Sequence, residues 1–137
     1  MLGVVILTHG DLAQAFLASA EQVTGKQQQI EALSIHPQDN MEQRRNELLQ
    51  AIARVNTGKG VIILTDMFGG VASNLAISLL SMPMVEVIAG INLPMLVRIL
   101  SKRKDASLSE CALAAQEAGQ KYIRIATQLL EPQRKAG

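Results

Sequence analysis

The chain has 137 residues, 48% hydrophobic and 18% charged, with thirteen Lys and Arg against twelve Asp and Glu for a formal net charge of +1. That length supports one domain with a real core, and the near-neutral balance gives no general field for nucleic acid or an anionic membrane. One cysteine, Cys111, excludes a disulfide framework or a CxxC centre, and Phe16, Phe68 and Tyr122 as the full aromatic set leave no base-stacking surface.

The predicted elements alternate between short apolar runs and helical patterns. Gly3 to Leu7 reads as a strand; Leu12, Ala15, Phe16, Ala20 and Val23 then recur at helical spacing from Asp11 until Gly25. Ile30 to Ile35 is a second strand, followed by a helix opening at Asp39 with Glu42 at the capping-box offset and ending at Asn56-Thr57-Gly58. Gly60 to Thr65 is β-branched without polar alternation, as in a central parallel strand covered on both faces. Asp66-Met67-Phe68-Gly69-Gly70 leads into a helix through Asn74, Ala76, Ile77 and Leu80. Val85 to Ala89 is the fourth strand, Gly90 to Leu93 its exit loop, and Pro94 the first residue of a helix. Ser107-Leu108-Ser109-Glu110 is a capping box for a last helix ending near Gly119. From Lys121 to Thr127 a short strand competes with continued helix. Residues 1–130 read as a single domain, and 131–137 as a frayed tail.

Leu2 to Leu7 lacks a preceding basic segment, and Pro83, Glu86, Asn92, Pro94 and Arg98 divide the apolar region from Leu75 to Leu100. Neither suits a signal peptide or a bilayer span, so a soluble, cytoplasmic protein is expected.

Four strand–helix units imply an α/β fold, an open doubly wound parallel sheet of order 2-1-3-4 with helices on both faces. Chemistry in such sheets sits at the carboxyl ends of the strands, where strand order reverses. There, between the first and third strands, Thr8-His9-Gly10 meets the 66–70 segment. A neutral imidazole is a nucleophile toward phosphorus, and a carboxylate such as Asp66 fixes its tautomer. Gly69 and Gly70 let backbone N–H groups converge on phosphoryl oxygens as a helix begins, and Thr8, Ser73 and Asn74 offer side-chain donors.

Each piece has a plainer reading. His9-Gly10 alone would start a helix, Asp66 would cap the next one, and the paired glycines would make a tight turn. It is their coincidence at one crevice that favours chemistry. His36 before Pro37 reads as a loop histidine and Cys111 as a small buried hydrophobe. Lys102-Arg103-Lys104, with Arg98, reads as a solvated helix end. No P-loop and no GxGxxG is present, the acidic residues of a receiver domain are missing after the first strand, and two histidines without clustered ligands argue against a metal.

Val-Ile-Leu-Thr-His-Gly at 5–10, Thr-Asp-Met-Phe-Gly-Gly at 65–70 with Asn74, and Ala-Gly-Ile-Asn-Leu-Pro-Met-Leu at 89–96 together resemble the IIA component of the mannose family of the bacterial phosphoenolpyruvate-dependent sugar phosphotransferase system (PTS). The resemblance runs from about Leu2 to Leu130 and implies a phosphotransferase component without cofactor or metal. His9 would be phosphorylated through Nε2 with Asp66 on its other nitrogen. Thr8, Gly10, Phe68, Gly69, Gly70, Val71 and Ser73 would surround the phosphoryl group. Val71 stands where relatives commonly carry Ser or Thr, so one hydroxyl is missing. The resemblance also implies a homodimer that exchanges the last strand, Lys121 to Thr127, as an antiparallel edge. The implied donor is the histidine-containing phosphocarrier protein, HPr, and the acceptor a separate IIB component. Membrane contact would run only through other PTS components, and no nucleic acid is involved. Two other outcomes stay open: a regulatory protein whose phosphorylation state controls a partner, and a small-molecule phosphate-binding or hydrolytic domain.

Overall fold

The computed structural model describes residues 1–130; the expected tail at 131–137 lies outside them. Elements alternate as β1 (Gly3–His9), α1 (Leu12–Thr24), β2 (Ile30–Ile35), α2 (Met41–Val55), β3 (Val61–Thr65), α3 (Val71–Ile77), β4 (Val85–Ala89), α4 (Leu93–Lys102), α5 (Leu108–Lys121) and a single turn α6 (Ala126–Leu129). The four strands are parallel in the order β2-β1-β3-β4, as the alternation of elements implies. Among the described residues no helix is long and apolar enough to cross a membrane.

Strand parity explains the unbroken apolar runs. Successive residues of β1 and β3 enter opposite cores, so a strand covered on both faces has no polar position to show. Val4, Ile6, Ile62 and Leu64 join Ala13, Ala20, Leu96, Ile99, Cys111 and Ala115 under α1, α4 and α5. Val5, Leu7, Val61 and Ile63 join Leu48, Ile52, Val55, Ala72, Ala76 and Leu79 under α2 and α3. The buried thiol of Cys111 is a packing group, its pKa pushed up by burial.

Several helix ends differ from the sequence expectation. α2 begins at Met41, because Asn40 caps it by accepting from the N–H groups of Glu42 and Gln43. Asp39 is engaged instead in the preceding turn, where it accepts from the His36 N–H at 2.8 Å. Pro94 is the second residue of α4, after Leu93, and Asn92 caps that helix through the Met95 N–H. The Ser107–Glu110 capping box is formed. α5 runs past Gly119 to Lys121, and Gly119 is a close-packing residue rather than a stop: a Cβ there would stand 2.8 Å from Met95 Cε. The regular part of α3 ends at Ile77, ahead of a series of turns.

One expectation is not shown in the single chain and another needs correction. In the single chain, Lys121 to Thr127 forms no strand: Lys121 closes α5 and the segment turns into α6. A strand requires a neighbour for its N–H and C=O groups, and here the segment leaves Ile123 and Ile125 exposed without joining the sheet. Arg103 does not belong to a solvated helix end; it is 1% exposed. Its guanidinium donates to the carbonyls of Gln28 and Gln29 and, at 2.9 Å, to the Gln27 side chain, which ties the end of α4 to the entry of β2.

Candidate functional site

His9 is the last residue of β1 and Asp66 directly follows β3, so the parallel pairing that sets Leu7 opposite Thr65 delivers both to the carboxyl edge of the sheet. Asp66 Oδ2 accepts from His9 Nδ1 at 2.8 Å and also from the His9 main-chain N–H at 3.0 Å. Its other oxygen accepts from the Met67 N–H at 3.0 Å. The carboxyl is largely buried, 13% exposed, whereas the imidazole is 42% exposed. Burial opposes ionisation of Asp66 more than any one contact favours it. Hydrogen bonds from the His9 ring and main chain, the His9 charge and the N–H of residue 66 together outweigh burial and lower its pKa.

An ionised carboxylate only accepts hydrogen bonds, so the ring proton of neutral His9 resides on Nδ1. Nε2 then carries the free lone pair on the more exposed side of the pair. Against this edge lies Gly70: a Cβ built there would stand 2.7 Å from Cε1 and 3.4 Å from Nε2. Gly69, at φ +82°, supplies the left-handed turn that brings the chain there. Gly70 caps α3 without a side chain to offer, so the first N–H groups of that helix have no side-chain acceptor.

The other expected site residues divide into two sets. Met67, Phe68 and Val71 form an exposed apolar rim around the loop, with Phe68 70% exposed. Thr8 and Ser73, expected as phosphoryl donors, are wholly buried. Thr8 neighbours His9 on a strand and so faces the opposite core, where its Oγ1 accepts from the Ala13 N–H at 2.8 Å and caps α1 in place of Asp11. Ser73 shares the inward side of α3 with Ala72 and Ala76, and among the described residues its Oγ has no partner. The Gly10 N–H donates to the Ile35 carbonyl at 2.9 Å and is likewise occupied. Thr65, buried with an unpartnered hydroxyl on the α3 side of β3, escaped the sequence reading; its place just before Asp66 was the available signal. His36 is exposed, one residue after the Ile35 that pairs with His9 in the sheet, and its main-chain N–H is taken by Asp39. No grouping of three or more His, Cys, Asp or Glu suited to a metal ion occurs among the described residues.

Residues 3–116 match the EIIA-man family, described as the PTS system fructose IIA component. The mannose-specific EIIAB component of Escherichia coli K12 is 34% identical over 125 residues, which is 90% of this chain and 39% of that protein. The fructose-specific EIIA component of Bacillus subtilis is 26% identical over 132 residues, covering 96% of this chain and 90% of the other. The crystal structure of an EIIA component from Streptococcus agalactiae superimposes with a TM-score of 0.85 at 20% identity, over 93% of this chain and 99% of that one. The chain thus spans well under half of the EIIAB relative and nearly all of the other two, and it belongs to the mannose family of PTS EIIA components.

Proposed function

We propose that the chain is a phosphohistidine carrier, accepting a phosphoryl group on His9 Nε2 from an HPr-type phosphocarrier and passing it to a IIB component. One observation carries this reading: a single carboxylate oxygen holds both the ring and the main chain of a half-exposed histidine at the switch point of the sheet. In the transfer, the Nε2 lone pair bonds to phosphorus as the donor's N–P bond breaks, and that bond's electron pair remains on the donor imidazole. Positive charge rising on the His9 ring is met by Asp66 through the Nδ1–H contact. Charge on the equatorial phosphoryl oxygens is met by N–H groups of the 69–71 turn. Donor and acceptor bonds are of one chemical kind, so the step runs in either direction.

Residues 1–130 act as one domain in this reading, in the compartment of its phosphocarrier donors. The partner is also a second copy of the chain. The outer edge of β4 borders a groove of about 650 Å³ lined in part by Val87, Ile88, Leu113 and Ile123, and the exposed Ile123 and Ile125 lie on the segment, Lys121 to Thr127, that family likeness assigns to exchange. Incubation with phosphoenolpyruvate, enzyme I and HPr should label the protein in an acid-labile, base-stable form. Equal labelling of His9→Ala would refute the assignment. Light scattering on the intact chain should give twice the monomer mass.

A further inference from the structure

Resting on the reading of His9 as the acceptor, we infer that Gly70 is a positioning residue whose missing side chain both seats the His9 ring and keeps Nε2 clear. The two glycines of the turn differ in what they require. Gly69 sits at φ +82°, a backbone angle that disfavours other residues, yet a Cβ on it would meet nothing within 4 Å. Gly70 is the reverse. At φ −81° and ψ 167° its backbone is in a region any residue adopts, so conformation does not explain a glycine there. Space does: the Cβ of an alanine would lie 2.7 Å from His9 Cε1, well inside van der Waals contact, and 3.4 Å from Nε2.

Neither side of that contact is free to retreat. The Gly70 carbonyl accepts from the Asn74 N–H at 3.0 Å as α3 starts, which fixes the loop. The ring is fixed at the atom next to Cε1 by the 2.8 Å bond from Nδ1 to Asp66. Of the two, ring rotation is the softer motion, and it turns Nδ1 away from the carboxylate. A methyl group at position 70 therefore costs the tautomer control and crowds the attacking nitrogen at once.

The test is Gly70→Ala in wild-type and His9→Ala backgrounds. An alanine at this helix-capping position carries its own cost in both, so the readout is the difference between two shifts. The melting temperature should fall about 4 °C further when the imidazole is present. Nitrogen NMR of the unphosphorylated ring should show a single Nδ1–H form in wild type and a mixture in Gly70→Ala. With phosphoramidate as a small donor, an Nε2–P bond forms as the probe's P–N bond breaks and ammonia leaves; labelling at His9 should slow at least about tenfold. Equal melting shifts in the two backgrounds, or a wild-type ring spectrum and labelling rate in Gly70→Ala, would overturn the inference. If phosphoramidate and HPr both fail to label wild type, the carrier reading falls, while the melting and ring measurements still decide the role of Gly70.

Discussion

Asp66→Asn is the most informative single change, because it keeps the shape of the side chain and removes only its charge and one acceptor. Three N–H groups converge on the carboxylate: His9 Nδ1, the His9 main chain and Met67. An asparagine has one oxygen and one NH₂ group, so two arrangements compete. With oxygen toward His9, the NH₂ group opposes the Met67 N–H and that bond is lost. With NH₂ toward His9, it opposes the main-chain N–H, and the ring must shift its proton to Nε2, which removes the nucleophile. Either arrangement loses at least one charge-assisted bond at a carboxyl that is 13% exposed, worth about 2 kcal/mol after allowing for the half-exposed ring. The melting temperature should then drop by about 8 °C. Transfer from phosphorylated HPr should slow by about 10²–10⁴, the scale on which a misdirected imidazole loses activity elsewhere. Rapid-quench labelling measures the rate and nitrogen NMR the tautomer. A rate within about threefold of wild type, with the Nδ1–H form intact, would refute the claim that the carboxylate directs the ring.

Asp66 ionises at lower pH folded than unfolded, so its contribution is complete above the unfolded value near 3.9 and disappears as pH falls through the folded pKa. Between about pH 5 and 2, wild type should therefore lose stability more steeply than Asp66→Asn, as read by chemical denaturation across that range. Arg103→Met should cost about 2–4 kcal/mol, because the carbonyls of residues 28 and 29 and the Gln27 side chain lose a buried donor. Arg103→Lys should recover little of it, since an ammonium cannot reproduce the planar fork. Met84 is a non-glycine residue at φ +62° with a half-exposed side chain, so Met84→Gly should raise stability by about 0.5–1 kcal/mol in the same assay. Thr65→Val should be neutral or slightly stabilising, because it replaces a buried hydroxyl that has no partner among the described residues.

The sheet order was legible because four strand–helix units admit few parallel topologies, and the order in turn placed His9 beside Asp66 without any local signal linking residues 57 positions apart. Which way the hydroxyls face was also within reach. Thr8 adjoins His9 on a strand, so the two must diverge, and Ser73 lies one step from Ala72 on a helix whose inner face is alanine. Helix ends were blurred where several polar residues compete for one cap, as Asp39 and Asn40 do. Arg103 could not be read from the sequence. Nothing in Lys102-Arg103-Lys104 marks the middle cation as buried, because its partners are main-chain carbonyls contributed by residues more than 70 positions away. The end of the chain was obscure for a different reason. Ile123 and Ile125, two apart, suit one face of a strand, and whether a strand forms depends on what lies alongside them.

Because Asp66 Oδ2 grips both the main chain and the ring of one residue, the aim of the imidazole is referenced to its own strand rather than to anything at the surface. The side chains of Met67, Phe68 and Val71 take no part in that grip, though they border it. On the proposed function, aim and docking then fall to separate side chains. A lineage could rework the rim to suit a new donor or acceptor protein while the nucleophile kept its bearing, and the departure at Val71 falls on the side of the molecule where such change is cheapest.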